Sequence, residues 1–144
     1  MTRPEKAVDI FKQRFNCSQA LFTAFRQEDK LDEETALKLS TVFGAGVAST
    51  GAMCGAVSGA LLAISMKHGR GDLASVEAKA KTYQLGQKFM NGFKQRNHSC
   101  ACADLLGMNI GIPENMAKAQ EMKLFETRCV EIVKSAAEIL EEII

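Results

Sequence analysis

Five cysteines, Cys17, Cys54, Cys100, Cys102 and Cys129, are the side chains of this 144-residue chain best suited to chemistry. A thiolate is at once a nucleophile, a redox centre and a soft metal ligand, and its surroundings set how readily it forms. Cys17 follows Asn16, a favoured helix N-cap. Cys54 falls within a turn of Thr50, and Cys102 follows Ser99. Free backbone N–H groups and the positive end of the helix dipole favour a thiolate at such places. Cys100-Ala101-Cys102 sets two thiols close together, which is harder to read as packing than a single cysteine. Cys129 lies on an apolar stripe, where cysteine ordinarily serves as a small hydrophobe.

The spacing carries no metal signature by itself, because zinc ligands normally come in two tight pairs. A helical bundle can nevertheless gather distant ligands in its core, and His98, close to Cys100 and Cys102, is a weak candidate to join them. The C-x-x-C-H run of covalent haem and the C-x-x-C of thioredoxin-type exchange are both absent. Gly44-Ala45-Gly46 is followed by no Lys-Ser/Thr, which excludes a P-loop. Cys102, His98 and Asp104 are too close in sequence to converge as a hydrolase triad.

The elements that must position these thiols read as helices. Val8, Phe11 and Phe15 share a face of a first helix over Pro4–Phe15. Asn16 with Gln19 forms a capping box for a second helix, which runs to the charged cluster at Arg26–Lys30. Asp32 caps a third, ended by Gly44-Ala45-Gly46. Ser49 or Thr50 then caps a central helix ending at Lys67-His68-Gly69, and Gly51, Gly55, Gly59 and Ala63 make a side-chain-free stripe along it. Glycine is unfavourable in a helix by roughly 1 kcal/mol relative to alanine, so the stripe implies close approach by another backbone or a bound group, with Gly55 and Gly59 at its centre.

A long helix opens at Gly71-Asp72, with Val76, Ala80, Tyr83, Gln87 and Met90 in register, and breaks at Arg96–Ser99. Cys100–Leu106 gives short turns closed by Gly107, and Gly111-Ile112-Pro113 is a turn. The last helix, Glu114–Ile144, is broken early and then strongly amphipathic through Cys129, Ile132, Val133, Ala136, Ile139 and Leu140. No alternating strand pattern occurs. The expectation is a single all-α domain, a bundle of five to six helices around the buried glycine-striped helix.

Composition narrows the function. Eighteen basic and seventeen acidic residues leave almost no net charge, and no basic block is interleaved with aromatics, so nucleic acid is not an expected partner. The uncharged run from Leu39 to Met66 exceeds the ~20 residues that span a bilayer, but its Gly/Ala/Ser/Thr content reads as loop and buried helix, so no membrane span is expected. An odd cysteine count with no visible signal peptide points to a reducing cytoplasm. The small-residue stripe would also pack against a second copy of the chain, so a homodimer is open to it.

Four elements together resemble a known family, named C_GCAxxG_C_C for its cysteine pattern. They are Asn16-Cys17-Ser18-Gln19-Ala20, Cys54-Gly55-Ala56-Val57-Ser58-Gly59, Cys102-Ala103-Asp104-Leu105-Leu106-Gly107, and Cys129. Cys100 has no place in that pattern and is at most an accessory thiol. The resemblance implies a redox role resting on the pattern's cysteines. The leading reading is a redox module, with a redox partner protein as counterpart, in which Cys17, Cys54, Cys102 and Cys129 converge at helix ends around Gly55 and Gly59. One version cycles between dithiol and disulfide, with Cys54 attacking and Cys102 or Cys17 resolving. The alternative is a zinc or iron–sulfur protein held by the same four thiolates. A third reading is a helical scaffold whose cysteines only pack.

Overall fold

The computed structural model describes Met1–Ile144 and is all-helical. Eight α-helices follow one another: α1 (Arg3–Lys12), α2 (Cys17–Phe25), α3 (Glu33–Ser40), α4 (Gly55–His68), α5 (Val76–Asn97), α6 (Cys102–Leu106), α7 (Pro113–Glu121) and α8 (Arg128–Ile143). A 3-10 turn, Thr41–Phe43, extends α3. No helix is long and apolar enough to cross a membrane.

Several helix starts are where their caps require them. Thr2 and Glu5 form a reciprocal capping box on α1, and Pro4 sits in its first turn. Asn16 Oδ1 accepts from the Gln19 N–H at 2.9 Å, while Gln19 Oε1 accepts from the Asn16 N–H, also at 2.9 Å. Asp32 caps α3 by accepting from the Thr35 N–H.

Other expectations are corrected. The count is eight helices, not five to six, because α6 forms a separate short helix and the last segment divides into α7 and α8. The division falls at Met122–Thr127, where Lys123 turns left-handed with φ 57°. The first helix ends at Lys12, because Arg14 adopts φ 79° and turns Phe15 out of the helix. On α5 the buried residues are Phe89, Phe93 and Asn97, whereas Val76 and Tyr83 are more than half exposed. The two phenyl rings stack with centroids 6.1 Å apart, and their four-residue ladder, not the expected Val76–Met90 register, faces the core.

The central helix starts at Gly55 and not near Thr50. Between α3 and α4 the five residues Ala45 to Ser49 all have left-handed φ, from 50° to 72°. Only one of them is glycine, and the left-handed region is unfavourable by roughly 1–2 kcal/mol for each of the others. The Gly51 N–H to Ala45 carbonyl bond (3.1 Å) and the Ala52 N–H to Gly46 carbonyl bond (2.8 Å) help to hold this turn. Gly51, with φ 74°, therefore lies outside the helix, and its side chain position is filled by Asn109.

The stripe does bring backbones together. A Cβ on Gly59 would stand 2.5 Å from the Ser18 carbonyl oxygen and 3.0 Å from Leu21 Cβ. On Gly55 it would stand 3.0 Å from the Ser18 nitrogen and 3.2 Å from Cys17 Cβ. The partner is α2, whose residues Ser18 and Ala20–Phe25 are buried. Helices α2 and α4 are thus a central pair, with α1, α3, α5 and α8 around them. Because a backbone oxygen cannot rotate aside, Gly59→Ala must force α2 and α4 apart. Overpacking of roughly 1–3 kcal/mol should outweigh the ~1 kcal/mol gained from alanine's helix propensity. Urea denaturation should show a lower midpoint, and an unchanged one would mean that the two helices separate freely.

Candidate functional site

Each of the four motif cysteines begins a helix. Cys17 is the first residue of α2, Cys54 caps α4, Cys102 is the first residue of α6, and Cys129 is the second residue of α8. Their side chains line one cavity of about 850 Å³. The fifth, Cys100, does not line it, and its sulfur lies 4.0 Å from the Met90 carbonyl of α5. His98 caps the C-terminus of α5 with φ 75°, exposed and outside the cavity. Gly55 lines the cavity, whereas Gly59 faces α2 beyond it.

The convergence has identifiable ties. A single antiparallel bridge joins Met53 to Ala101, with the Cys54 N–H donating to the Cys100 carbonyl (2.7 Å) and the Cys102 N–H to the Ala52 carbonyl (2.6 Å). This clamps the starts of α4 and α6 side by side. The close approach of α2 to Gly55 brings in Cys17. Arg128 Nε donates to the Leu105 carbonyl at 3.3 Å, which fastens the start of α8 to α6 and brings in Cys129.

Burial, more than the helix ends, decides which thiol ionises. Cys54 was expected to be the thiolate, but removal from water pushes it up to about 12, although the Ala56 and Val57 N–H groups pull the other way. Burial likewise raises Cys102 to about 11. Cys17 is raised well above an ordinary cysteine, first by its hydrogen bond with Cys129 and then by burial. Cys129 alone is lowered, because the Cys17 thiol donates to it and the Arg128 charge lies beside it, against the opposing effect of burial. The pair therefore ionises at Cys129.

The local pattern placed Cys129 on the apolar face of a helix over Glu114–Ile144, whereas α8 starts one residue before it. The signal was hidden because the break before it rests on Lys123, not on a glycine or proline. The cavity wall was also missed. It is built by Phe11, Phe15, Leu106, Ile110, Met116 and Phe125 and by Ala45 and Gly46 of the left-handed turn, which are remote from one another in sequence. Exposed Lys12, Arg14, Gln120 and Glu126 mark where it opens. No three of the protein's His, Cys, Asp and Glu side chains stand grouped as ligands of one metal ion.

Two kinds of chemistry suit this arrangement. Thiols brought to one cavity, one of them favoured as thiolate, are placed for dithiol–disulfide redox. Four sulfurs around one space also suit a soft metal or cluster, given a rearrangement that groups them. A family model described as "Putative redox-active protein (C_GCAxxG_C_C)" matches residues 15–143. Neither a curated protein nor a solved structure matches the chain.

Proposed function

The chain belongs to the C_GCAxxG_C_C family, and we propose that it is a thiol redox protein whose working pair is Cys17 and Cys129. One observation carries this reading: Cys17 and Cys129 face the same cavity from the starts of α2 and α8, and Cys129 is the thiol whose ionisation is favoured there. On oxidation the two sulfurs join, the Cys17 proton leaves, and two electrons pass to an acceptor from outside. Cys54 and Cys102, held neutral by burial, are a reserve pair. Attack on the Cys17–Cys129 bond by one of them, once deprotonated, would form a mixed disulfide and release one sulfur as thiolate. Attack by the other on that mixed disulfide would release the second, leaving Cys54–Cys102 joined and Cys17 and Cys129 reduced. The order differs from the sequence expectation, in which Cys54 attacks first.

The alternative, a zinc or iron–sulfur site made of the same four thiolates, is separated from this by composition. The protein would be purified anaerobically without chelator, assayed for metal, sulfide and free thiol, then oxidised and its disulfide mapped. The expected result is no stoichiometric metal and a reversible Cys17–Cys129 bond. Stoichiometric iron or zinc with four masked thiols would replace the dithiol reading with the cofactor reading. Five inert thiols without metal would leave only a scaffold with packing cysteines.

A further inference from the structure

Access to the sulfurs restricts what can exchange electrons with them. Cys54, Cys102 and Cys129 are 5%, 7% and 5% exposed, whereas Cys17 is half-buried. A disulfide on the surface of another protein must bring its sulfur into contact with the attacking thiolate, and Cys129, the thiolate of the pair, is set too deep for such a surface to reach. A molecule small enough to enter the cavity is not so limited. The cavity's volume of about 850 Å³ lies within the roughly 300–1,000 Å³ range of small-molecule sites, and far exceeds what closing a disulfide between neighbouring thiols needs.

The lining narrows the chemistry further. Phe11, Phe15 and Phe125 contribute three phenyl rings, and Ile110 and Met116 add apolar surface. Aromatic walls favour a flat ring that can stack or meet their edges. The charged lining residues Lys12, Arg14 and Glu126 are all exposed, so they belong to the rim, and the interior walls are mostly apolar. A multiply charged oxidant such as glutathione disulfide would lose much of its hydration against those walls.

We propose that the cavity admits an uncharged quinone, which serves as the two-electron acceptor for the Cys17–Cys129 pair. This rests on the thiol redox reading above and specifies its substrate class. The two sulfurs lose two electrons and join. The quinone gains those electrons and two protons, one from the Cys17 thiol and one from water, and leaves as the hydroquinone. The reaction balances with Cys129 entering as thiolate.

The test uses the native, fully reduced protein under anaerobic conditions. One sample receives duroquinone, whose four ring methyls block thiol addition, and a parallel sample receives glutathione disulfide. Duroquinone should yield hydroquinone in step with the Cys17–Cys129 disulfide, at least about ten-fold faster than glutathione disulfide reacts, since the latter must desolvate charge. Phe125→Asp, which puts a carboxylate in the wall, should slow the duroquinone reaction by about ten-fold. Glutathione disulfide reacting as fast or faster would overturn the quinone assignment and leave the thiol redox reading intact. A folded Phe125→Asp protein reacting at the parent rate would also overturn it. Failure of both oxidants to form any disulfide would overturn the redox reading as well. The comparison of oxidants on the native chain stands even where the variant does not fold.

Discussion

Iodoacetamide applied to the fully reduced protein at pH 7 is expected to label Cys129 first, well ahead of Cys54 and Cys102. Alkylation follows the thiolate, and Cys129 is the one cavity thiol held below its ordinary range. Burial keeps Cys54 near 12 and Cys102 near 11, so both are protonated at neutral pH. Labelling of Cys129 should rise with pH through a midpoint below 9.0, the ordinary cysteine value. Cys17→Ala removes the hydrogen bond that does most to stabilise the thiolate. Its midpoint should move upward, and its rate at pH 7 should fall with the thiolate fraction. Cys17→Ser keeps a donor and should retain much of the parent rate. Peptide mapping against time reads each result. Preferential labelling of Cys54, or a Cys17→Ala profile identical to the parent, would mean that the Cys17–Cys129 pairing does not control reactivity.

Raising the pH from about 9 to about 12 should strip the fold of much of its stability. In the unfolded chain Cys54 ionises near its ordinary 9.0, whereas in the folded protein it holds its proton up to about 12. Between those values the unfolded state binds fewer protons, so each pH unit favours unfolding. At about 1.4 kcal/mol per unit, Cys54 alone accounts for roughly 4 kcal/mol once it is ionised. Cys102, raised to about 11, acts in the same direction. Cys129 acts oppositely: its lowered folded value adds stability as pH rises toward 9.0, and that contribution is lost as pH falls through its folded pKa. Urea midpoints measured across pH should therefore hold or rise slightly up to about 9 and then fall steeply. Cys54→Ala should flatten the alkaline fall, although it lowers stability near neutrality by leaving a small void. Equal alkaline slopes in the two proteins would show that Cys54 is not kept neutral by the fold.

Much of the local structure could be read from neighbouring residues. The Asn16–Gln19 capping box, the Asp32 cap and the Gly107 stop each depend on groups within a few positions of one another, so the chain announces them directly. The glycine stripe announced a close approach, and Gly55 and Gly59 do meet a backbone, that of α2. Errors fell where ordinary residues take unusual conformations. Ala45, Val47, Ala48 and Ser49 run left-handed around the single glycine Gly46, and Lys123 breaks the last helix with no glycine at all. The α5 register was misread because its apolar residues suit two faces, and only contact with α4 and α8 selects the ladder of Phe89 and Phe93.

The four motif cysteines, their order and three of their helix-start positions were determined by the sequence alone, because thiol identity and capping are local properties. Which thiol ionises was decided by the tertiary structure. A helix end offers every cysteine a similar favourable field, but the loss of water depends on what packs around it. Desolvation overrides the helix end at Cys54 and Cys102, while a hydrogen bond from α2 and the charge of Arg128 reverse the balance at Cys129. The cavity itself comes from α1, α2, α4, α6, α7 and α8 and the turns between them, segments brought together only by the packing of helices distant in the chain.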